Sequence, residues 1–166
     1  MENNIKAFTP EIVVDDGSVK VPVRNKYGEE IGLFYFRPTD VGMVERYNEL
    51  AGKLDKITEP LEHISISADG TAEGDTVDTE TLKEAERRLS EAVDYMLGGN
   101  ASEAFFGKVH PFSPVNGAFY CEQVIEVVGR FIAAQFDRET RKINKRENRV
   151  NRYTQGYKGG KHRPRA

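Results

Sequence analysis

The stretch IGLFYFRPTD, residues 31–40, decides the fold because its pattern changes from that of a strand to that of a helix. Phe34 and Phe36 fall on one face of an extended chain. Leu33 and Tyr35 fall on the other face, and this alternation predicts a β-strand. The Pro-Thr-Asp that follows predicts a helix start, because the threonine or the aspartate can accept a hydrogen bond from an orphan amide.

Two further strands are predicted upstream, at Ile12–Val14 and Val19–Val23. The Asp15–Ser18 segment between them predicts a hairpin turn whose glycine adopts a positive φ angle. Asn25–Gly28 predicts a second turn, which leads into the strand described above. Pro22 cannot donate to a β-ladder and therefore places its strand at a sheet edge.

Three main helices are predicted downstream from apolar residues that recur at three- and four-residue steps. The first ends or kinks at Pro60, and the second runs from about Thr79 to Leu97, where two glycines terminate it. The third begins near Ala118 and ends at Phe136, and its apolar residues cover so much of its circumference that we expect it to be the most buried helix. The stripe of the first helix contains Val41, Val44, Tyr47, Leu50, Ala51, Leu54, Ile57 and Leu61, and that of the second contains Leu82, Ala85, Leu89, Val93, Met96 and Leu97.

The segments between the helices differ in composition. Residues 65–81 contain five acidic groups, two glycines and no basic residue, which predicts a solvated and mobile linker. The connector before the third helix is instead rich in aromatic residues. These side chains fill the domain's own core or form an exposed patch for a partner, and core positions are favoured for at least half of them. They are Phe105, Phe106, Phe112, Phe119 and Tyr120.

The chain changes character after Phe136. Residues 1–136 contain 13 Lys and Arg against 24 Asp and Glu, whereas residues 137–166 contain 11 against 3. The basic residues that follow Phe136 have three- and four-residue spacing, which places much of their charge on one side of a helix. Such a side predicts contact with an anionic partner. The residues are Arg141, Lys142, Lys145, Arg146, Arg149 and Arg152, together with Arg138.

The apolar residues of this segment form a single row, Phe136, Ile143 and Val150, with one residue every seven. Such spacing keeps side chains on one face of a helix, but one row buries too little to hold a helix in water. Residues 137–153 are therefore predicted to be a marginal helix and residues 154–166 a flexible tail. The row is a candidate partner-binding surface, and the aromatic connector adds Phe105, Phe106 and Phe112 to it.

Side chains that carry catalytic chemistry are sparse. The three histidines lie far apart in the sequence and the chain has one cysteine, Cys121, so it lacks the closely spaced ligand pairs of a zinc site. A nucleophilic pair of Cys121 with His110 is an alternative to a buried, unreactive thiol, and the buried thiol is favoured. We therefore expect a protein that is not an enzyme and that binds no cofactor and no metal.

The length and composition predict one soluble domain, with a modest core and a large solvated surface from 31% charged residues. No apolar run approaches the ~20 residues of a membrane-spanning helix, and the first residues lack the pattern of a signal peptide. We expect a cytoplasmic, mostly helical α+β domain. Its β-rich part is predicted at residues 1–36, its helical body at 37–136 and its basic extension at 137–166.

The order of these features resembles the tail assembly chaperones of long-tailed phages and prophages of Gram-positive hosts. The resemblance covers roughly residues 28–158. It is carried by Gly28 with Ile31–Phe36, Arg37–Asp40 with Glu45–Tyr47, Val93–Gly99, Phe105–Gly107, Pro111–Gly117 and a tail rich in Lys, Arg, Asn and Tyr.

The resemblance implies a small cytoplasmic protein that acts in virion tail morphogenesis. Such a protein binds the long, helical and aggregation-prone tape measure protein, helps to recruit tail tube subunits, and is shed before the particle is complete. The family contributes no catalytic residues. Some members are also made in a longer form by translational frameshifting.

Other functions stay open at this point. The basic extension suits a small nucleic-acid-binding protein, with Tyr153 and Tyr157 able to stack on bases. A structural component of the tail or of the head–tail connection is a further alternative. The extension is also consistent with a solubilising tail that folds back onto the acidic linker. Self-association into a homo-oligomer is a further alternative.

Overall fold

The computed structural model describes residues 9–61, 65–66, 72–73 and 79–158. Within these residues the strands form three separate two-stranded antiparallel sheets. The mostly helical α+β fold is confirmed. In chain order the elements are β1 (Val19–Arg24), β2 (Glu30–Phe36), α1 (Gly42–Thr58), a short 3-10 helix (Glu59–Leu61), β3 (Ser65–Ile66), β4 (Ala72–Glu73), α2 (Thr79–Leu97), α3 (Ala101–Phe106), β5 (Pro114–Val115), β6 (Ala118–Phe119) and α4 (Tyr120–Lys158).

Strands β1 and β2 form an antiparallel hairpin in which Val21 lies opposite Phe34. The hairpin turn lies at Asn25–Gly28, as predicted, and its glycine has a φ angle of +82°. The predicted faces of β2 are also confirmed, since Phe34 is buried and Tyr35 is exposed. The hairpin therefore presents one apolar face to the rest of the domain.

The predicted strand at Ile12–Val14 is wrong, because these residues form no regular secondary structure and their side chains are exposed. The turn expected to pair them with β1 is organised differently. The Asp15 carboxylate accepts a hydrogen bond from the Gly17 amide, and the Asp16 carboxylate accepts one from the Ser18 amide. Local bonds of this kind compete with strand pairing, so Gly17 has the expected positive φ angle without closing a hairpin.

Both edges of the β1–β2 sheet are blocked. The Asn100 side chain accepts a hydrogen bond from the Tyr35 amide at 2.8 Å and donates one to the Leu33 carbonyl at 2.9 Å, as a neighbouring strand would. Pro22 lies opposite Leu33. Because the Leu33 carbonyl faces Asn100 and not β1, this is a non-hydrogen-bonded pair, and the nitrogen and carbonyl of Pro22 face the free edge of β1. Pro22 thus removes one donor from that edge, as predicted for an edge strand.

One hydrophobic core joins the β1–β2 hairpin to all four helices. The rings of Phe34 and Phe36 stack with centroids 4.1 Å apart. Phe34 also contacts Phe105 of α3 at 5.1 Å, and Phe36 contacts Phe131 of α4 at 5.9 Å. The core interpretation of the aromatic connector is confirmed for Phe105 and Phe112, which are buried, while Phe106, Phe119 and Tyr120 are partly buried.

Helix α2 has the predicted bounds, and its predicted stripe is buried except for Leu82, which is partly buried. Gly98 ends it with a φ angle of +66° and donates a hydrogen bond to the Asp94 carbonyl at 2.9 Å. The prediction that the third long helix is the most buried one is wrong. Helix α4 buries only Cys121, Val124 and Val128 fully, because the core covers one face of its first half.

Five short elements were not predicted. Helix α3 begins beneath a cap from α2, because Asp94 accepts hydrogen bonds from the amide and the hydroxyl of Ser102. Strands β5 and β6 form a small hairpin around Asn116 and Gly117, which both have positive φ angles. Strands β3 and β4 pair inside the predicted linker at 65–81.

The linker prediction is corrected further at its end, because α2 already begins at Thr79. The remaining linker residues, 67–71 and 74–78, lie outside the described residues. The first helix ends at Thr58, directly before the 3-10 helix that contains Pro60, in agreement with the prediction for that proline.

Candidate protein-binding surface on helix α4

Helix α4 has 39 residues, and at about 1.5 Å per residue it is about 58 Å long. Residues 137–153 are helical, as predicted, but the tail expected from residue 154 is corrected, since the helix continues to Lys158. Residues 159–166 lie outside the described part of the chain. Every side chain described from Asp137 to Gln155 is exposed, so the second half of α4 carries a surface on all sides.

The N-terminus of α4 is held by the connector that precedes it. The amides of Tyr120 and Cys121 donate to the carbonyls of Ser113 and Pro111, at 2.8 and 2.9 Å. The Glu122 carboxylate accepts a hydrogen bond from the amide of the residue before the helix at 2.9 Å. Three orphan donors are thereby satisfied, which fixes the direction in which the long helix leaves the domain.

An open apolar groove with a volume of about 470 Å³ lies between α1 and α4. On α1, the predicted stripe residues Val44 and Tyr47 line this groove and are 52% and 43% exposed. Their predicted burial is wrong, because the core receives Met43 and Leu50 instead, and Val44 lies about 100° around the helix from Met43. On α4 the groove is lined by Ile125, Glu126, Gly129, Arg130, Ile132, Ala133 and Phe136.

The apolar face of α4 continues beyond the groove. At about 100° per residue, Ile125, Ile132, Phe136, Ile143 and Val150 lie within about 40° of one another around the helix axis, over about 37 Å. We call these five residues the α4 row. Ile143 is 58% exposed and Val150 53% exposed. The outer end of the row is therefore an exposed apolar surface, although Ile143 also lines an open cleft with residues of the segments 15–19 and 38–41.

A basic face occupies another side of the same helix. The seven cationic residues from Arg138 to Arg152 lie within an arc of about 140°, and all of them are exposed. Arg141 pairs with Asp137 at 3.0 Å and Lys142 pairs with Glu139 at 2.9 Å. The other five, Arg138, Lys145, Arg146, Arg149 and Arg152, make no ion pair with any residue that the structure describes.

The six residues predicted to bind a partner are divided between two regions. Phe136, Ile143 and Val150 share the α4 row, as the seven-residue spacing predicted. Phe105 and Phe112 serve the core, and Phe106 packs edge-to-face on Tyr120 with ring centroids 6.1 Å apart. The residues that sequence reasoning missed are those of the groove, because Val44, Tyr47 and Ile125 have the spacing of core residues.

The surroundings of Cys121 and His110 bear on the hypothesis that they form a nucleophilic pair. Cys121 is buried, and burial, with a smaller contribution from Glu122, raises the pKa of its thiol to about 11. The His110 ring is engaged at both nitrogens, since Nδ1 accepts a hydrogen bond from the Phe112 amide and Nε2 lies 3.3 Å from Glu86. A protonated, buried thiol is a poor nucleophile, which favours the structural role predicted for Cys121.

The residues that the structure describes contain no group of three His, Cys, Asp or Glu side chains arranged to hold a metal ion. Among the same residues, no helix is both long enough and apolar enough to cross a membrane. No protein-family model, curated protein or solved structure matches the chain.

Proposed function

We propose that this protein is a phage tail assembly chaperone, which binds the tape measure protein and helps to recruit tail tube subunits without forming or breaking covalent bonds. The single observation that carries this proposal is the α4 row, which runs from the groove beside α1 to the exposed Val150. The sequence resemblance supplies the identity of the partner, and the row supplies a surface suited to a long helix.

The row suits helix-in-groove recognition, in which an amphipathic helix lays its apolar face along an apolar surface. The groove between α1 and α4 offers the widest apolar contact, and the outer row extends this contact along the same axis. Completing the burial of Ile143 and Val150 contributes about 1 kcal/mol for each side chain. Many weak contacts of this kind hold an aggregation-prone helix and still allow its release.

The test is co-expression with the tape measure protein of the same phage, with the soluble fraction of that protein as the readout. The double variant I143D/V150D places charge in the row and should abolish the gain in solubility. The matched control N144D/N148D adds the same charge on exposed positions about 80–160° away from the row. Equal rescue by both variants would show that the row does not bind the tape measure protein.

Hydrogen exchange gives a second readout of the same proposal. Alone, the amides of residues 137–153 should exchange rapidly, because exposed helices in water open locally at little cost. A bound fragment of the tape measure protein should slow their exchange, since it supplies the missing half of the packing around Ile143. Equal protection in the two states would contradict binding at this segment.

The basic face favours nucleic-acid binding as a second candidate function. Five of its seven cations make no ion pair with the described residues, and cations arranged in this way neutralise phosphates. The test is retention of a 20-nucleotide single-stranded DNA at increasing salt concentration. Affinity that falls steeply with salt and disappears when residues 137–166 are deleted would support this candidate over the chaperone.

A further inference from the structure

We infer that the partner helix of the α4 row carries acidic side chains along one of its flanks, and that Arg146 is their contact. This inference rests on the proposed function, because it concerns the surface through which the chaperone binds a helix. It adds the chemical character of the partner, which an apolar row alone does not define.

The two flanks of the row differ in charge. Arg146 lies about 60° around the helix from Ile143, and Lys142 and Arg149 lie behind it on the same side. Glu139 also lies on this side and pairs with Lys142 at 2.9 Å, which leaves the flank with a net positive charge. On the other side, the charged side chain nearest to Ile143 is Glu147, about 40° away. Arg146, Glu147 and Asn151 line the groove of about 510 Å³ that surrounds Ile143 and Val150, so both flanks border the same apolar floor.

Arg146 is the cation best placed to contact a helix in this groove. It borders the groove directly and makes no ion pair with any residue that the structure describes. A carboxylate on the flank of a docked helix gains a guanidinium partner there, as flanking charges do beside the seam of a coiled coil. A lysine or arginine at the same position on the partner meets like charge instead.

The same charges argue against a second copy of this chain in the groove. Residues 137–158 contain eight Lys and Arg against three Asp and Glu, so two paired extensions would repel each other in either direction. A nucleic acid would use the basic face differently. It would contact the whole arc, including Lys145, which lies about 160° away from Ile143 on the far side of the helix.

The test uses three synthetic 21-residue amphipathic peptides that share one leucine stripe and carry Glu, Gln or Lys along one flank. Binding to the full chain is measured by fluorescence anisotropy. The Glu peptide should bind most tightly and the Lys peptide most weakly. R146E should weaken the Kd of the Glu peptide about fivefold and restore binding of the Lys peptide. The adjacent control K145E, which makes the same charge change on the far side, should change the Kd less than twofold.

The outcomes separate this inference from the proposed function. Equal affinity for the three peptides, or equal effects of R146E and K145E, overturns the acidic flank. If I143D/V150D nevertheless abolishes rescue of the tape measure protein, the proposed function stands without the acidic flank. If the wild-type chain does not increase the solubility of the tape measure protein, both the proposed function and the acidic flank are overturned. Displacement of the Glu peptide by a 20-nucleotide DNA, with R146E and K145E weakening DNA binding equally, would instead assign the basic face to phosphates.

Discussion

Helix α2 and the part of α4 beyond Phe136 are similar in length but opposite in their relation to the core. Helix α2 has 19 residues and buries Ala85, Leu89, Val93, Met96 and Leu97. Residues 137–158 of α4 are also helical, yet every side chain described among them is exposed. The difference follows from apolar spacing, because steps of three and four residues build a stripe that a core can cover, whereas steps of seven leave single contacts.

The comparison teaches that the two helices are stabilised by different means. Burial against α1 and α3 within the shared core holds α2, whereas the distal part of α4 depends on its own backbone hydrogen bonds and on exposed ion pairs such as Arg141–Asp137. Exposed pairs of this kind contribute little. Binding a partner would therefore stabilise the distal part of α4 more than it would stabilise α2.

The largest difference is expected from truncating one apolar side chain in each region. Leu89→Ala removes a side chain that is 0% exposed and should lower the free energy of unfolding by about 3 kcal/mol. Ile143→Ala, the matched change in the distal helix, should cost less than about 0.5 kcal/mol. Urea unfolding followed by circular dichroism measures both values. A cost for Ile143→Ala approaching that of Leu89→Ala would mean that the row is covered in the free protein.

A second difference is expected between two glycines, one of which lies against the backbone of a neighbouring helix while the other faces open space. Gly32 of β2 lies so near α3 that an added Cβ would collide with the Ala104 carbonyl. Gly32→Ala should therefore destabilise the domain by about 2 kcal/mol.

The control is Gly52→Ala in α1, where an added Cβ has no atom within 4 Å. It should stabilise the protein by up to about 1 kcal/mol, because alanine favours a helix interior. Opposite signs for the two variants, measured by urea unfolding, support the tight contact between β2 and α3. A neutral Gly32→Ala would show that α3 moves away from the hairpin without cost.

A smaller effect is expected at the start of α1, where Asp40 contacts Arg46 at 2.7 Å and Arg46 also donates to the Met96 carbonyl. The hydrogen bond from Arg46 lowers the pKa of Asp40 below its ordinary value of 3.8. A lowered folded-state pKa stabilises the protein above that ordinary value, and this stabilisation is lost as the pH falls through the lowered pKa. Asp40→Asn should therefore cost about 1 kcal/mol at pH 7 and nothing at a pH well below the lowered pKa of Asp40.

Urea unfolding of the wild type and Asp40→Asn at both pH values checks this expectation. The matched control is Glu126→Gln in α4, whose contact with Arg130 is 3.7 Å long and highly exposed, and which should show no measurable change at either pH. A pH-independent loss in Asp40→Asn would mean that packing, and not charge, links α1 to the end of α2.

The elements that could be predicted are those in which local and long-range preferences agree. The β1–β2 hairpin combines alternating strands with a glycine turn, and the bounds of α2 combine a regular stripe with terminating glycines. Helix α3 could not be found in this way, because its start depends on Asp94, a residue of another helix. The β5–β6 hairpin had a usable signal in Asn116 and Gly117, but its strands have only two residues each.

The candidate site was predictable in part for the same reason. The seven-residue spacing of Phe136, Ile143 and Val150 was visible, since nothing else apolar surrounds them. The groove was not, because Val44 and Tyr47 have the spacing of core residues, and only the positions of α2 and α4 determine which face of α1 is buried. Burial of a helix face is a tertiary property, and apolar periodicity alone does not determine which face of the helix is buried.

The smallest change in the free energy of unfolding is expected from deleting the basic extension. Removing residues 137–166 leaves the described core contacts intact, so the free energy of unfolding should change by less than about 0.5 kcal/mol while the helical signal falls. In the full chain, the amides around Val150 should exchange hydrogen freely, whereas those around Val93 should exchange only through global unfolding. A loss of more than about 2 kcal/mol on truncation would mean that the extension packs against the body. The α4 row would then be an internal contact, and the contrast between the two helices on which the proposed partner site depends would disappear.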